Sequence, residues 1–148
     1  MIIRELNFDD FFIFMNLIKQ LNNDVLIDKI KFVDYLLNVK KNSNKFIFVI
    51  EEEIDDIKYL VGTCCILIEQ KIIHNYGFVA HIEDLVIDKN FKGKKYGSKL
   101  LKYCKDTAKQ LNCYKIILNC KEEIKEFYIK NGFEFKQLQG SIYFYKKY

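Results

Sequence analysis

The feature that most constrains this chain is a strand pattern that runs into a short glycine-containing turn and then into a long amphipathic helix. Residues 80–88 are mostly apolar and predict a strand. The lysine-rich turn 89–97 follows, and apolar residues at helical spacing predict a helix over 98–111. A strand that leads so directly into a helix favours an α/β arrangement, in which the helix packs back onto a sheet.

The rest of the sequence predicts further helices and strands within one domain. Helices are predicted over 9–22, 28–39 and 122–130, and strands over 46–50, 59–68, 113–120, 133–138 and 141–147, with an acidic turn at 51–56. This order predicts an α/β (α+β) domain with a mixed sheet. Because no repeat, linker or compositional break divides residues 1–148, we expect a single domain.

Local signals refine some of these elements. Asp28 is the expected N-cap of the second helix. The predicted apolar stripe of that helix consists of Ile30, Val33, Leu36 and Leu37. The strand 59–68 is nearly all apolar, which predicts a central position, and the strand 113–120 is expected to be buried. Strand alternation would place Glu83 and Asp84 on opposite faces.

Charge and cysteine content narrow the function classes. The formal net charge is +4, and Arg4 is the only arginine. Lysine binds phosphate as a point charge, whereas DNA-base readout prefers arginine forks, so the composition favours small phosphorylated ligands. A lysine-rich module for single-stranded nucleic acid is the alternative from another class. No apolar segment is long enough for a membrane span, and five cysteines without a CxxC pair are typical of a reducing compartment, so we expect a soluble cytoplasmic protein.

The turn 92–97 is the candidate anion site. The first N–H groups of a helix have no partner within the helix, and the helix dipole adds positive charge there. Glycines in the turn allow a close approach, and three lysines add to the field, so a phosphate or pyrophosphate would be favoured. Neither a P-loop nor a GxGxxG motif occurs. His74 and His81 lack the spacing of metal ligands, so no metal is expected.

Four ordered motifs resemble those of the GNAT-type acetyltransferases and, within them, the glucosamine 6-phosphate N-acetyltransferase family. The motifs are Lys71-Ile72-Ile73-His74, His81-Ile82-Glu83-Asp84-Leu85-Val86, Cys113-Tyr114-Lys115-Ile116 and Phe127-Tyr128-Ile129-Lys130-Asn131-Gly132-Phe133. The resemblance covers about residues 60–133. It implies the GNAT fold, a mixed and mostly antiparallel sheet flanked by helices. It also implies acetyl transfer from acetyl-CoA to the amine of glucosamine 6-phosphate by direct attack, in a homodimer. Another acceptor, such as a polyamine, a peptide or another amino sugar, stays open.

The resemblance also implies a set of site residues. Cofactor-binding residues would be Leu85, Val86, Ile87, Lys92, Gly93, Lys94, Lys95, Tyr96, Gly97, Ser98, Asn119, Tyr128 and Lys130. Substrate-binding residues would be Asn22, Lys71, Ile72, Ile73, His74, Glu83, Asp84, Leu85, Tyr114, Lys115 and Lys146, with the element Lys71 to His74 reaching the sugar phosphate from the neighbouring subunit.

Tyr128 and Asn119 are the catalytic candidates on this resemblance. Tyr128 would protonate the leaving thiolate. Asn119 stands where many relatives carry an acid, and an asparagine cannot accept a proton at neutral pH. The general base is therefore left open. Lys146 lies nearest to the position of a C-terminal arginine that contacts the phosphate in relatives.

Overall fold

Five strands of the described residues form one sheet, which is the framework of the fold. The structure is a computed structural model that describes residues 1–23, 27–136 and 142. The strands are β1 (Ile2–Glu5), β2 (Lys45–Ile54), β3 (Ile57–Gln70), β4 (Phe78–Ile87) and β5 (Cys113–Leu118); the helices are α1 (Phe11–Ile18), α2 (Lys29–Lys41), α3 (Ile73–Tyr76, a single turn), α4 (Tyr96–Gln110) and α5 (Lys125–Lys130). Residues 1–118 form one compact unit and residues 119–148 a second one.

The strands follow each other across the sheet in chain order. Neighbours pair antiparallel from β1 to β4, whereas β4 and β5 pair in parallel. A parallel pair requires a crossover connection, which α4 provides. The mixed, mostly antiparallel sheet and the central position of β3 are confirmed.

The two faces of the sheet carry different helices. On one face, α1 and α2 enclose the main apolar cluster, which consists of Leu6, Phe11, Phe14, Met15, Leu17, Phe32, Leu36, Val39, Ile47, Val49, Leu60 and Cys65. On the other face, α4 buries Leu100, Leu101, Cys104 and Ala108. Cys64 and Cys65 are adjacent in β3, so alternation gives one thiol to each face. The apolar spacing that predicted this helix thus corresponds to a buried side, whereas Leu111, just after the end of α4, is exposed.

A partly buried charge network joins β1 to its neighbours. The guanidinium of Arg4 donates to both carboxylate oxygens of Asp10, at 2.7 and 2.8 Å, and to Glu51 at 2.6 and 2.9 Å. Asp10 also accepts a hydrogen bond from the backbone N–H of Asn7 at 2.7 Å. Asp10 precedes α1 and Glu51 lies in β2, so one arginine fixes a strand of only four residues against two other elements.

The predicted helices are present, but some of their bounds and buried residues differ from the prediction. Asp28 caps α2 by accepting a hydrogen bond from the N–H of Lys31 at 2.8 Å. The predicted stripe of α2 was partly wrong, because Ile30 is 77% exposed and Leu37 53% exposed, while the helix buries Phe32, Leu36 and Val39. The helix predicted over 9–22 is a 3₁₀ turn at Phe8–Asp10 followed by α1, which ends at Ile18.

The strand predictions needed more correction. β1 was not predicted, and residues 51–54 continue β2 instead of turning. β5 ends at Leu118 and is half exposed, so the expectation of a buried strand was wrong. Residues 133–136 form no strand, and the other residues of the two closing strands lie outside the described residues, apart from residue 142. None of the helices in the described part of the chain has the length and apolar character that a membrane span needs.

Candidate active site

The turn between β4 and α4 has the geometry of an anion site. Gly93 has φ +81°, and a side chain there would meet nothing within 4 Å, so glycine serves the left-handed backbone. Lys95 is also left-handed, with φ +61°, and α4 begins at the next residue and runs for 15 residues. The side chains of Lys92, Lys94 and Lys95 are exposed. The turn therefore presents backbone N–H groups, a helix N-terminus and three cations to solvent.

A bulge interrupts β4 at Asp84, before the strand ends at Ile87. Cys65 pairs with Glu83 and Thr63 with Val86, so two residues of β4 lie opposite Cys64 alone. Asp84 takes up the bulge with φ +51°. Because of the bulge, regular alternation fails at this point, and Glu83 and Asp84 are both exposed. The prediction from simple alternation therefore does not apply at these two acids, because the bulge breaks the two-residue period.

On its other edge, β4 loses its pairing partner β5 close to the position of the bulge. The parallel pairing of β4 with β5 ends at Ile82 and Leu118, although β4 continues to Ile87. The last five residues of β4 thus have no pairing partner in β5. An extended ligand could pair with the backbone there as an added strand does. The 3₁₀ turn Lys89–Phe91 connects this opening to the turn 92–97.

A second polar cluster lies where β3 and β4 begin their pairing. Glu69 accepts a hydrogen bond from Nζ of Lys71 at 2.5 Å, and its other oxygen lies 2.9 Å from Nε2 of His81. The hydrogen bond from Lys71, and next that from His81, holds the pKa of Glu69 below its usual value. Glu69 was missed in the sequence analysis. Strand alternation could have indicated it, because residues 69 and 71 share a face.

The segment 71–77 is shaped by backbone geometry that side chains rarely adopt. His74, Asn75 and Tyr76 have φ of 57°, 54° and 59°. Lys71 N–H donates to the carbonyl of Gly77 at 2.9 Å, which closes the segment. A Cβ at Gly77 would lie 2.9 Å from the carbonyl oxygen of His74, so glycine is required for this close approach.

Contacts with β5 bring further predicted residues together. The His74 and Tyr114 rings are 4.5 Å apart, and Nζ of Lys115 lies 5.8 Å from the Tyr114 ring centroid. Ile72 is 84% exposed and Ile73 64% exposed. The structure thus gathers His74, Tyr114 and Lys115 into one surface cluster next to two exposed isoleucines.

The thiols opposite the bulge are poor nucleophiles. A hydrogen bond with Cys104, followed by burial, raises the pKa of Cys64. Burial raises the pKa of Cys65 to about 12. Since the thiolate is the reactive form of cysteine, neither residue is suited to carry an acyl group. Among the described residues, no group of three or more His, Cys, Asp or Glu side chains is arranged to hold a metal ion.

The second unit contains the remaining catalytic candidates. Tyr128 in α5 is 5% exposed, and its ring lies 5.1 Å from that of Phe127 and 5.8 Å from that of Phe133. Asn119 and Lys130 are exposed. The predicted end of this helix at residue 130 is confirmed, and the N–H of Gly132 donates to the carbonyl of Ile129 at 2.9 Å.

The predicted substrate residues also include Asn22 and Lys146. Asn22 is exposed after the end of α1. Lys146 lies outside the described residues.

Comparison with known proteins gives concordant matches. The profile of the acetyltransferase (GNAT) family matches residues 6–133. The glucosamine 6-phosphate N-acetyltransferase of Arabidopsis thaliana is 43% identical over 98 residues, which are 66% of this chain and 64% of that protein. Glucosamine 6-phosphate N-acetyltransferase 1 of Dictyostelium discoideum is 32% identical over 140 residues, covering 95% of this chain and 88% of that protein.

Similarity in structure extends over nearly the whole chain. The crystal structure of the Arabidopsis glucosamine-6-phosphate N-acetyltransferase has a TM-score of 0.90 and 35% identity, and covers 97% of each chain. By sequence, however, the chain spans just under two thirds of the Arabidopsis protein that it matches, at 64%.

Proposed function

Because the chain belongs to the GNAT family of acetyltransferases, we propose that it transfers an acetyl group from acetyl-CoA to the amine of D-glucosamine 6-phosphate. The observation that carries the proposal is the continuity of the open β4 edge with the turn 92–97. This continuity suits a ligand with an extended arm and a diphosphate. The names of the Arabidopsis and Dictyostelium relatives support the acceptor.

The residues of the turn fit the diphosphate of the coenzyme. The N–H groups of residues 93–98 would donate to its oxygens, with Lys92, Lys94 and Lys95 supplying positive charge. The backbone of β4 near Leu85, Val86 and Ile87 would pair with the pantetheine arm. Acetyl-CoA would supply the acetyl group as an activated thioester.

Backbone N–H groups near the bulge would also assist the chemistry. They would donate to the thioester carbonyl oxygen, where negative charge develops as the amine attacks. The phenol of Tyr128, whose usual pKa is about 10, would then give its proton to the departing sulfur. Asn119 could orient a group by hydrogen bonding but could not accept a proton. The amine would therefore lose its proton to water.

Direct attack is favoured over an acyl-enzyme route. The raised pKa values of Cys64 and Cys65 keep both thiols protonated beside the bulge. We expect a sequential mechanism, in which acetyl-CoA and acceptor are bound together, instead of a ping-pong one.

The acceptor would be recognised by residues of the second polar cluster and of the surface cluster beside β5. Lys71 and His74 would contact the sugar phosphate from the neighbouring subunit, and Lys115 would also reach the substrate. Tyr114 would support His74 through its ring. Glu83 and Asp84 would bind the sugar beside the acetyl group. Their carboxylates are exposed at the bulge, which supports this role.

A homodimer would complete the site. The exposed side chains of Ile72, Ile73 and Tyr76 support docking of this segment on a second copy. Light scattering after size exclusion should give a mass of two chains, and Ile72→Lys should shift the mass toward one chain. The five free cysteines support the proposal that the enzyme works in the reducing cytoplasm.

The test of the reaction is thiol release from acetyl-CoA with four separate acceptors. These are glucosamine 6-phosphate, glucosamine, spermidine and a lysine peptide. We expect the highest kcat/KM with glucosamine 6-phosphate. A preference for spermidine or the peptide would overturn the proposed acceptor, and no thiol release with any acceptor would overturn the proposed reaction.

A further inference from the structure

The turn 92–97 is attached to the sheet by a side chain at its own end. Tyr96 is the first residue of α4 and is 8% exposed. Its hydroxyl donates a hydrogen bond of 2.8 Å to Oε1 of Glu52. Glu52 lies in β2, just beyond the bulge at Ile50 and Glu51. The start of the helix is therefore fixed to a strand that is distant in sequence.

The same end of the β2–β3 hairpin holds the turn at a second point. Tyr59 is the cross-strand partner of Glu52. The Tyr59 ring lies 5.7 Å from that of Phe91, which in turn lies 6.3 Å from that of Tyr96. Phe91 thus packs between two tyrosines immediately before the exposed residues of the turn.

A third attachment lies at the beginning of the loop. The side-chain amide of Gln20 donates to Asp88 at 2.9 Å, and its oxygen accepts from the N–H of Lys89 at 3.0 Å. Residues 88–91 and residue 96 are therefore held by Gln20, which follows α1, and by β2 and β3. Between these points, residues 92–95 are all exposed.

We propose that Tyr96, through its hydrogen bond to Glu52, is a positioning residue that fixes the N–H groups of the turn in the orientation needed for the coenzyme's diphosphate. This inference rests on the proposed function, because it assumes that the turn binds the diphosphate. Donors that are fixed before binding lose little conformational entropy when the ligand arrives. The hydrogen bond therefore contributes to affinity without touching the ligand.

The test compares two acetyl donors in the full chain. S-Acetylpantetheine carries the same thioester and arm as acetyl-CoA but lacks the diphosphate. In Tyr96→Phe, which keeps the ring, we expect kcat/KM for acetyl-CoA to fall about 5- to 10-fold, a loss on the order of one charge-assisted hydrogen bond. For S-acetylpantetheine we expect a change of less than about 2-fold, since the lost contact acts only on diphosphate binding.

Matched variants separate positioning from folding. Glu52→Gln keeps an oxygen that can accept from the Tyr96 hydroxyl and should retain most of the activity, whereas Glu52→Ala should match Tyr96→Phe. Tyr103→Phe, in the middle of the same helix, should behave as the unmodified protein. The inference is overturned if Tyr96→Phe loses activity equally with both donors, or if it keeps full activity with acetyl-CoA.

A binding measurement keeps the inference testable even if the acceptor is wrong. Calorimetric titration with coenzyme A should give a Kd about 5- to 10-fold higher in Tyr96→Phe than in the unmodified protein. An equal Kd would overturn the positioning role. Failure of the unmodified protein to bind coenzyme A would instead overturn the proposed function, and the inference with it.

Discussion

Glu69 joins two basic side chains, Lys71 just after β3 and His81 in β4. It contacts Lys71 at 2.5 Å and His81 at 2.9 Å. A lysine side chain loses considerable rotamer entropy when it binds an anion, and a carboxylate that already holds the ammonium reduces that loss. At the scale of single residues, phosphate recognition by Lys71 would thus depend on an acid that makes no contact with the phosphate.

Lys71→Ala tests phosphate recognition. We expect the KM for glucosamine 6-phosphate to rise about tenfold, since a charge-assisted hydrogen bond is lost, with little change in the KM for glucosamine. Steady-state kinetics with both sugars gives the comparison. Lys102→Ala removes an exposed lysine of α4 that pairs with Asp106, and it should change neither value. An equal rise for both sugars in Lys71→Ala would contradict phosphate recognition.

Tyr128→Phe tests proton donation. The phenylalanine keeps the packing against Phe127 and Phe133, so the fold should be retained. Loss of the hydroxyl should lower kcat about 100-fold, within the range for general acid catalysis, and leave the KM for acetyl-CoA nearly unchanged. Unchanged turnover in this variant would rule out the proton-donor role.

At the scale of elements, left-handed residues other than glycine occur in the predicted ligand-binding segments. Asp84 lies at the β4 bulge, Lys95 at the start of α4, and His74 to Tyr76 in the segment beside β5. Each such residue costs on the order of 1–3 kcal/mol and persists only where surrounding structure holds it. The sequence motifs did not predict this backbone strain, because it arises where secondary-structure elements meet.

Lys95→Gly measures the strain at the start of α4. Glycine adopts φ near +61° without the Cβ penalty, so we expect the free energy of unfolding to rise by about 0.5–1 kcal/mol. Loss of the ammonium should raise the Kd for coenzyme A a few-fold. Urea unfolding and calorimetry test the two effects. A destabilised Lys95→Gly variant would contradict this account of the turn.

The connection between β1, β2 and α1 should be sensitive to acid. Burial alone would raise the pKa of Asp10, but the hydrogen bonds from Arg4 and from the Asn7 backbone hold it below its usual 3.8. The folded state therefore binds fewer protons than the unfolded state in acid. The stability from this carboxylate is present above pH 4 and is lost as the pH falls through the lowered pKa.

Asp10→Asn tests this acid dependence. At pH 7 the variant should be less stable by about 2 kcal/mol, since it loses charge-assisted hydrogen bonds to Arg4. At pH 3 the difference from the unmodified protein should shrink. Urea unfolding at the two pH values gives both numbers, and a difference that stays constant would contradict the role assigned to the Asp10 carboxylate.

Local chemistry explains what the sequence could predict. Asp28 capped its helix as expected because an N-cap needs only its own neighbours. Ile30 and Leu37 were misassigned to the core because helical spacing alone does not say which side meets the sheet. The motifs indicated the turn 92–97 and the acids at 83 and 84. Glu52 and Glu69 lie outside the motifs, and their partners Tyr96 and His81 come from other elements of the fold.

For the whole molecule, β4 is the axis of the proposed site. Its bulge at Asp84 would separate the proposed acceptor side from the proposed coenzyme side, and its open edge continues to Ile87 before the turn. The acceptor amine and the thioester would meet at the bulge, where pairing with both neighbouring strands is interrupted or ended. The reaction would thus occur where the sheet leaves backbone groups available to ligands.

The central claim is that the N–H groups of the turn hold the coenzyme's diphosphate, and amide chemical shifts of ¹⁵N-labelled protein titrated with coenzyme A test it most directly. The account predicts the largest shifts at residues 93–98, with further shifts at residues 84–86. With pantetheine, the shifts at 93–98 should be absent. Saturable binding of coenzyme A that leaves the amides of 93–98 unmoved would contradict the account.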